Sequence, residues 1–372
     1  MATELIIQIV LWLFGFIFFW TIPVCRNREV RKPPRRSLSI IVPARNEAKT
    51  IPILLTSMKG QMQQDDEIIV VDDQSDDGTS LAARQHGVEV ILSQPLPPSW
   101  LGKTWACYQG AKSAKGELLF FLDADTTIEP DGIAKVISSY GSDSSVLSIQ
   151  PYHKMLSLYE QLSAFFNIVI MGAMGAFTMF GDLIKPIGLF GPAIMLTKQR
   201  YLESGGFEGV KGEVLEDLEY GAKLKKQQVK LTCYGGRGSV SFRMYPEGIG
   251  QLVTGWSKGF AKGAVKTSIP VLIMVVAWIT GAVGTTRNLI ESLVLADNAG
   301  LISWGILYAA YFIQIYWMLR RIGNFSIFTA LFFPLPLLFF ILVFAYSFVK
   351  IFILRSVKWK GREIEMKGRD GQ

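Results

Sequence analysis

Residues 118–125 read Leu-Leu-Phe-Phe-Leu-Asp-Ala-Asp, five apolar residues followed by two carboxylates that a single alanine separates. A short, fully apolar run of this kind predicts a buried strand in a sheet that is covered on both faces. If the strand continues to its end, its period of two places Asp123 and Asp125 on the same face. Two carboxylates at the end of a buried strand predict a site for a hard divalent cation such as Mg2+ or Mn2+.

Two other acidic stretches also follow apolar, strand-like runs. Residues 43–47 read PARNE, and residues 71–79 read VDDQSDDGT. Ligands of open α/β sheets bind beyond the carboxyl ends of the strands, so these acids are expected along one edge of a single sheet. Like charges there raise one another's pKa unless a metal or hydrogen bonds compensate. The pattern favours a metal-assisted diphosphate site, although Asp, Ser and Gly in residues 74–79 also suit a plain turn.

Apolar runs rich in β-branched and aromatic residues alternate with segments of helical spacing after residue 37. The strand-like runs are 38–42, 67–71, 88–92, 117–122 and 146–150, and the clearest helical segments are 47–58 and 103–115. Such alternation predicts an α/β fold with a mixed, mostly parallel sheet and helices on both of its faces.

Glu216 and Asp217 form the fourth acidic signature. They precede residues 218–224, whose apolar spacing is helical, so both acids are expected at the N-terminus of a helix. Helix capping and compensation of the helix dipole, worth about 0.3 to 1 kcal/mol, would explain acids there without a catalytic role. Against that interpretation, the upstream Gly205-Gly206-Phe207 predicts a flexible connection that could deliver the helix start to a pocket.

The composition argues against several classes of function. Two histidines in 372 residues do not suit a histidine-rich metal site or a Ser-His-Asp triad, and three cysteines without metal-ligand spacing are expected as reduced structural thiols. No Gly-x-Gly-x-x-Gly follows the first strand, which argues against a dinucleotide oxidoreductase. The formal charge of +7 gathers beside apolar stretches, which indicates contact with anionic lipid rather than nucleic acid.

Hydrophobic residues make up 50% of the chain, an excess that membrane segments explain. Residues 5–24 are nearly uncharged, and at ~1.5 Å per residue they form roughly 30 Å of helix, enough for one crossing. Basic residues follow at Arg26, Arg28, Arg31, Lys32, Arg35 and Arg36. The positive-inside rule therefore places the N-terminus outside and the next domain in the cytoplasm.

Further apolar runs lie at 269–283, 301–319 and 325–354, the last broken by Pro334-Leu335-Pro336. Four simple spans would leave the basic tail outside, whereas a re-entrant hairpin at the prolines would return it to the cytoplasm, which charge bias favours. Residues 164–180 are apolar but glycine-rich, and their length is at the lower limit for a crossing. Three options are open: a helix in the headgroup boundary, a membrane span and a buried core helix. The first is supported about as well as the other two taken together.

The acidic signatures, in this order, resemble those of the membrane-bound glycosyltransferase family 2 enzymes, which have a GT-A fold. Residues 96–107, LPPSWLGKTWAC, resemble the carotenoid branch of that family, the diaponeurosporenoate glycosyltransferases of bacterial C30 carotenoid synthesis. The resemblance covers residues 38–262 by motif and the flanking apolar segments by layout. It implies a GT-A nucleotide-diphospho-sugar transferase fold with transmembrane helices. It also implies transfer of a hexose from a nucleotide sugar, UDP-glucose in particular, to a carotenoid carboxylic acid in staphyloxanthin-type biosynthesis.

The same resemblance assigns the donor nucleotide to five residues. Glu47 and Asp73 would bind the nucleotide, with Asp72 as a less favoured substitute for Asp73. Asp123 would reach the ribose or the diphosphate. Lys103 would approach the diphosphate, although a solvated helix lysine is an equal alternative.

The resemblance also implies the reacting groups. Asp125, with Asp123, would hold the Mg2+ or Mn2+ ion that stabilises charge on the departing diphosphate. Asp217, with Glu216 beside it, would accept the acceptor's proton in a single displacement, which gives inversion. If the acceptor is a carboxylate, little proton removal is needed, and Asp217 would position groups or tune the electrostatics instead.

Many relatives carry a Gln-x-x-Arg-Trp element before the later spans. Gln251 and Trp256 retain its first and last residues, but one residue too many separates them and Gly255 stands where arginine is expected. This departure argues against a processive polymerase. Trp256, with Gln251, could contact the acceptor, or the indole could anchor the chain in the membrane interface.

These patterns predict the organisation of the chain. The expected parts are an N-terminal transmembrane anchor (1–25), a basic linker (26–36), a cytoplasmic GT-A domain (37–265), a C-terminal transmembrane region (266–356) and a basic tail (357–372). The protein would be a multi-pass enzyme of the cell membrane that binds a nucleotide sugar and a lipid acceptor and no nucleic acid. The alternatives are a glycerolipid, ceramide-like or polyprenyl phosphate acceptor, or a non-catalytic nucleotide-binding membrane protein.

Overall fold

A computed structural model of the chain divides into two compact units. The structure describes residues 2–27, 36–141, 143–257, 260–350, 356–359 and 362–365, with residues 261, 262 and those after 350 described by their backbone alone. We call Ile22–Lys154 with Pro186–Arg243 the sheet unit, and Met1–Thr21 with Met155–Lys185 and Met244–Gln372 the helical unit. Much of the basic linker, residues 28–35, and most of the tail lie outside the described residues.

The sheet unit contains a seven-stranded and a three-stranded sheet. The strands are β1 (Leu38–Ala44), β2 (Glu67–Asp72), β3 (Glu89–Leu92), β4 (Leu118–Leu122), β5 (Thr126–Ile128), β6 (Ser145–Gln150), β7 (Tyr152–His153), β8 (Ala193–Thr197), β9 (Lys230–Gly235) and β10 (Val240–Phe242). The larger sheet has the order β3-β2-β1-β4-β8-β6-β9, and β8 is antiparallel to both of its neighbours while the other pairings are parallel. The prediction of a mixed, mostly parallel sheet is confirmed.

Helices complete both units. In chain order they are α1 (Ala2–Phe18), α2 (Ile51–Met58), α3 (Thr79–Arg84), α4 (Gly102–Ser113), α5 (Gly132–Ser139), α6 (Ala164–Ala173), α7 (Lys198–Glu203), α8 (Glu216–Lys226), α9 (Ile249–Ser257), α10 (Phe260–Lys266), α11 (Ile269–Val294), α12 (Asn298–Ile322), α13 (Ile327–Leu331) and α14 (Pro334–Phe348). The helical unit contains α1, α6 and α9 to α14. Two short strands, β11 (Ser356–Trp359) and β12 (Arg362–Glu365), pair antiparallel near the C-terminus.

Strand β4 lies between two apolar cores, one on each face of the sheet. Leu118, Phe120 and Leu122 point into one core, whereas Leu119 and Phe121 point into the other. Burial of a large apolar side chain stabilises the fold by roughly 1.5 to 3 kcal/mol, which explains why every residue of this run is apolar. The three cysteines are buried free thiols, as predicted.

The N-terminal helix is shorter than the predicted span of residues 5–24. Helix α1 ends at Phe18 after 17 residues. Val24 instead forms a parallel bridge with Gly235, whose amide donates a hydrogen bond of 2.8 Å to the Pro23 carbonyl. Residues 22–25 therefore add to the edge of the sheet unit, a long-range pairing that the local apolar composition does not reveal.

Two helices of the helical unit, α11 and α12, are long and apolar enough to cross a membrane by length and composition. They contain the predicted runs 269–283 and 301–319. The predicted break in the run 325–354 is also present, because Pro334 begins α14 after the short helix α13. Helix α14 has 15 residues, and α1 and α14 are apolar but shorter than the two long helices.

Helix α6 is a core helix of the helical unit, which is one of the three options left open for residues 164–180. Eight of its ten residues are buried. Its aromatic rings stack on those of neighbouring helices, Phe166 on Trp256 at 4.7 Å and Phe165 on Trp278 at 5.6 Å between centroids. This burial fits the option of a core helix, and the position of α6 relative to a membrane stays a prediction.

Candidate active site

Four charged side chains of the sheet unit meet where β4 ends and where α4 and α8 begin. Lys103 Nζ lies 2.8 Å from Asp123 Oδ1, 3.6 Å from Glu216 Oε1 and 3.8 Å from Asp217 Oδ2. The side chains are 14% to 27% exposed, so each is largely withdrawn from water yet reachable. We call these four residues the acidic cluster. The structure thus brings together predicted site residues from three distant parts of the sequence.

Asp123 and Asp125 lie in a turn rather than on one face of a strand. Strand β4 ends at Leu122, and Thr126 closes the turn by donating hydrogen bonds of 3.1 Å from its amide and 2.7 Å from its hydroxyl to the Asp123 carbonyl. The condition for a shared face, that the strand continues to Asp125, is therefore not met. Asp123 joins the acidic cluster, and Asp125 is half-buried two residues further along the same turn.

The acidic cluster perturbs the ionisation of its members. Burial raises the pKa of Asp217 to about 8; Lys103 opposes this rise, and the negative charges of Glu216 and Asp123 add to it. Burial also raises the pKa of Glu216, again against Lys103. For Lys103, burial disfavours the charged form, but the attraction of Asp123, Asp217 and Glu216 outweighs it and raises the pKa well above the ordinary value. Asp217 therefore holds a proton at neutral pH until a cation or a substrate changes the balance.

The donor atoms in this region fit a divalent cation that is shared with a phosphate ligand. Among the described residues, no three His, Cys, Asp or Glu side chains are arranged to hold an ion by themselves, and Asp217 Oδ1 is buried with no hydrogen-bond donor. Mg2+ and Mn2+ commonly take one or two carboxylates and complete their shell with water and substrate phosphate. Asp123 and Asp125, on one turn, could supply two hard oxygen ligands, and the excess negative charge beside them favours a cation.

Replacing Lys103 with methionine is expected to destabilise the sheet unit by roughly 2 kcal/mol at pH 8. This value is smaller than that for a fully buried ion pair, because the side chains are partly exposed to water. The change leaves three carboxylates without their common cation. The deficit should shrink as the pH falls towards 5, because protonation then removes the repulsion. Chemical denaturation at both pH values checks this, with Lys112→Met, on the same helix, as the control. Equal deficits at both pH values would contradict it.

The loops after β1 and β2 are joined by hydrogen bonds at the same edge of the sheet. The Asn46 amide donates to Ser75 Oγ at 3.0 Å, and the Asp76 amide donates to Asn46 Oδ1 at 3.1 Å. Asn46 and Gln74 both have left-handed backbones, with φ of 54° and 58°, which turn the chain sharply after each strand. The Glu47 amide donates to Thr79 Oγ1 at 2.8 Å. Glu47 is thereby fixed at this edge.

Asp72 and Asp73 have different environments. Asp72 accepts hydrogen bonds from the Ser75 amide at 2.9 Å and from the Ser80 hydroxyl, so both of its oxygens stabilise the turn. Asp73 is 3% exposed, and Arg45 Nη1 lies 3.7 Å from its carboxylate and donates to its carbonyl at 2.6 Å. Which of the two carboxylates contacts the nucleotide stays a prediction. Sequence reasoning missed Arg45, although it lies inside the acidic signature of residues 43–47.

The two loops and the acidic cluster lie at one edge of the sheet. Strand β1 pairs in parallel with β2 on one side and with β4 on the other. Adjacent strands are ~4.8 Å apart, so the ends of β2 and β4 are separated by about 10 Å. The expectation that the acids gather at the carboxyl ends of the strands is therefore met by Glu47, Asp73 and Asp123. Their roles in binding stay predictions.

Residues 205–207 are fixed by packing, contrary to the expected flexible connection. Phe207 is 1% exposed, and its ring centroid lies 5.1 Å from that of Phe121 and 5.3 Å from that of Tyr220. Gly206 has a φ of 45°, and a Cβ atom there would overlap the Tyr201 ring. Gly206 serves close packing against Tyr201, which a sequence cannot distinguish from flexibility.

Gln251 and Trp256 lie on α9 in the helical unit. Trp256 is 4% exposed, stacks on Phe166, and donates from its indole Nε1 to Ser163 Oγ at 3.0 Å. Gln251 accepts a hydrogen bond of 2.9 Å from the Glu247 amide. Both side chains have structural partners, and their contact with an acceptor stays a prediction.

Comparison with known proteins shows the family of this chain. Residues 39–200 match the family described as Glycosyl transferase family 2. The 4,4'-diaponeurosporenoate glycosyltransferase of Staphylococcus haemolyticus (strain JCSC1435) is 33% identical over 337 residues, which cover 89% of each chain. The chain belongs to glycosyltransferase family 2. This glycosyltransferase is also 33% identical, over 332 residues and 88% of each chain, to the protein of the same name from Staphylococcus aureus (strain USA300).

The predicted GT-A fold is confirmed by a solved structure. The glycosyltransferase superposes on a mannosyltransferase from Pyrobaculum calidifontis, which was solved in complex with GDP-Man and Mn2+, with a TM-score of 0.52. The match covers 88% of this chain and 97% of the other at 16% sequence identity. At this identity the likeness establishes the fold alone. The resemblance to the carotenoid branch is confirmed by the relatives from Staphylococcus.

Proposed function

We propose that this glycosyltransferase transfers a hexose, with UDP-glucose as donor, to the carboxyl group of a C30 carotenoid acid. The reaction would be metal-dependent and would invert the anomeric centre. The observation that carries this proposal is the approach of Asp123, at the end of β4, and Asp217, at the start of α8, to the same ammonium group of Lys103. Asp123 would act on the leaving diphosphate, and Asp217 would act on the attacking acceptor. The acceptor is suggested by the relatives, whose name specifies diaponeurosporenoate.

The donor is assigned to the edge formed by β2, β1 and β4. Glu47 and Asp73 would contact the nucleotide, and Lys103 would exchange its contacts with Glu216 and Asp217 for the diphosphate. Asp123 and Asp125 would hold Mg2+ or Mn2+, which when bound supplies Lewis-acid stabilisation of the leaving diphosphate. Lys103 Nζ lies 2.8 Å from Asp123 Oδ1 and would therefore help to neutralise the charge on the leaving diphosphate.

Asp217 is assigned as the base, with Glu216 beside it. Asp217 would accept the proton of an acceptor that carries one. If the acceptor carboxyl group is already ionised, Asp217 would position groups or tune the electrostatics of the site instead. A cation bound nearby lowers the pKa of Asp217 and makes its ionised form available.

The value of kcat/KM is expected to rise with pH, with an apparent pKa at or somewhat below 8. The ionised form of Asp217 is the form proposed to act in transfer, burial raises its pKa in the free enzyme to about 8, and a bound cation shifts that pKa downward. Below that pKa, the enzyme loses activity about tenfold per pH unit. Initial rates from pH 5.5 to 9.5 at fixed free Mn2+ check this. An ester of the acceptor, which has no free carboxyl group, serves as the blank. A flat profile over this range would exclude Asp217 as the base.

The membrane assignment rests on apolar helices and flanking charge. Helices α11 and α12 satisfy the length and composition of a crossing, and α1 is a shorter apolar helix before the basic residues 26–36. We propose a multi-pass protein of the cell membrane with residues 37–265 in the cytoplasm, an anchor before them, and a transmembrane region and tail after them. A membrane-attached enzyme meets a membrane-dissolved acceptor at high local concentration, which fits a carotenoid substrate.

Purified full-length protein in phospholipid vesicles tests the proposal. It would receive labelled UDP-glucose, Mn2+ and one acceptor at a time: a C30 carotenoid acid, a diacylglycerol, a ceramide or a polyprenyl phosphate. The expected product is a glucosyl ester, which mass spectrometry identifies and mild alkali cleaves, whereas a glycoside resists alkali. Product from another acceptor would replace the carotenoid assignment, and no product from any donor or acceptor would favour a non-catalytic nucleotide-binding protein. Pigments of cells with and without the gene provide the matching test in vivo.

A further inference from the structure

The loop before β8 forms a seat for the start of α8. Residues 188–192, which we call the glycine seat, read Gly-Leu-Phe-Gly-Pro. A Cβ atom on Gly191 would overlap the Asp217 carboxylate, with Oδ2 as the nearest atom. A Cβ atom on Gly188 would lie 2.6 Å from Leu218 Cα. The first turn of α8 therefore rests directly on backbone, and both glycines provide the space that this contact requires.

The glycine seat is also hydrogen-bonded to the backbone of Asp123 and Asp217, the two residues whose spacing matters for transfer. The Asp123 amide donates a hydrogen bond of 2.9 Å to the Pro192 carbonyl. At the other end, the Leu189 amide donates to the Asp217 carbonyl at 3.3 Å. One five-residue segment thus connects the end of β4 with the start of α8.

Buried hydrogen bonds hold the seat in place from below. The Phe190 amide donates to Ser148 Oγ at 2.6 Å, and the same hydroxyl lies 3.1 Å from the Phe190 carbonyl and donates to it. Ser148 is in β6 and is 0% exposed, and Phe190 is 3% exposed. The middle of the seat is therefore anchored in the sheet, so a collision at Gly191 would displace Asp217 more readily than the seat.

We propose that the glycine seat sets the spacing between Asp123 and Asp217, with Gly191 as the positioning residue. The inference rests on the proposed function, in which Asp217 is the base. Gly191 contributes no chemical group; the absence of its side chain determines where the Asp217 carboxylate lies relative to the donor. A methyl group at this position would push the carboxylate away from its working place.

Gly191→Ala is expected to lower kcat about 100-fold, because a displacement of about 1 Å at a reacting group costs that much. The KM for UDP-glucose and the affinity for UDP should stay within threefold, since the donor residues are not displaced. Gly141→Ala is the matched control: a Cβ atom there meets no described atom within 4 Å, and its kcat should stay within twofold. In an Asp217→Asn background, Gly191→Ala should lower the remaining rate less than threefold. Turnover, UDP affinity and unfolding midpoint are measured for all variants.

Three results would overturn the inference: near-normal kcat for Gly191→Ala, a parallel loss of kcat and UDP affinity, or a full additional loss in the Asp217→Asn background. If Gly191→Ala does not fold, the double variant with Asp217→Gly removes the collision and should fold as well as Asp217→Gly alone. Failure of that rescue would also overturn the inference. Absence of sugar transfer and of donor hydrolysis in the wild type would instead refute the proposed function, which separates the two outcomes.

Discussion

Asp217→Asn is expected to reduce sugar transfer about a thousandfold, within the range of general-base contributions. Asparagine has nearly the same size and keeps the contact with the glycine seat, but it cannot accept the acceptor's proton. Binding of UDP and Mn2+ should change little, because both are assigned to other residues. The measurement is single-turnover transfer with saturating donor. A rate within tenfold of the wild type would exclude Asp217 as the base.

The same variant should alter stability in a direction that the pKa of Asp217 determines. The folded-state pKa of about 8 is above the ordinary value of 3.8, so the folded protein binds more protons than the unfolded chain between these values. The wild type therefore loses stability as the pH rises through this window, and Asp217→Asn should lose less. Unfolding midpoints at pH 6 and pH 9 check the sign. Asp131→Asn, an exposed residue with a φ of 58° that asparagine tolerates, is the matched control and should behave as wild type.

The sheet and the sequence of its acidic ends could be predicted because their signals are local. Strand β4 alternates between two cores, so its residues are all apolar, and its end is marked by the change to Asp123. The start of α8 is marked in the same way by Glu216 and Asp217. Such signals show that a residue lies at the end of a strand or helix, and therefore at which edge of the sheet it lies. They do not specify which side chains meet.

The contacts within the site could not be predicted because they depend on packing over long sequence separations. Lys103 reaches Asp217 only because α4 and α8 both begin at the sheet edge. Gly191 carries no chemical signal, and its role is visible only once the Asp217 carboxylate lies on it. Asp72 and Asp73 are adjacent and alike in sequence, yet Ser75 and Ser80 engage the first. For residues 5–24, the pairing of Val24 with Gly235 overrides the apolar pattern.

Asp125→Ala is expected to reduce transfer by at least about 100-fold at ordinary Mn2+ concentrations, a loss typical of metal-site changes. Asp125 is half-buried in the turn after β4, and its removal would leave Asp123 as the single proposed carboxylate ligand there. A readout other than turnover is the affinity for UDP with and without Mn2+. In the wild type, Mn2+ should tighten UDP binding; in Asp125→Ala this effect should be lost, with metal-free affinity within threefold.

The two variants separate the two halves of the proposed reaction. Asp217→Asn should keep the effect of Mn2+ on UDP binding and lose transfer, whereas Asp125→Ala should lose both. A chelator should abolish wild-type transfer, and added Mn2+ or Mg2+ should restore it. If Asp125→Ala still shows tighter UDP binding with Mn2+, the cation is held elsewhere and the assignment of Asp125 is wrong. Full activity in chelator would remove the cation from the reaction and leave Lys103, 2.8 Å from Asp123, as the group that neutralises the leaving diphosphate.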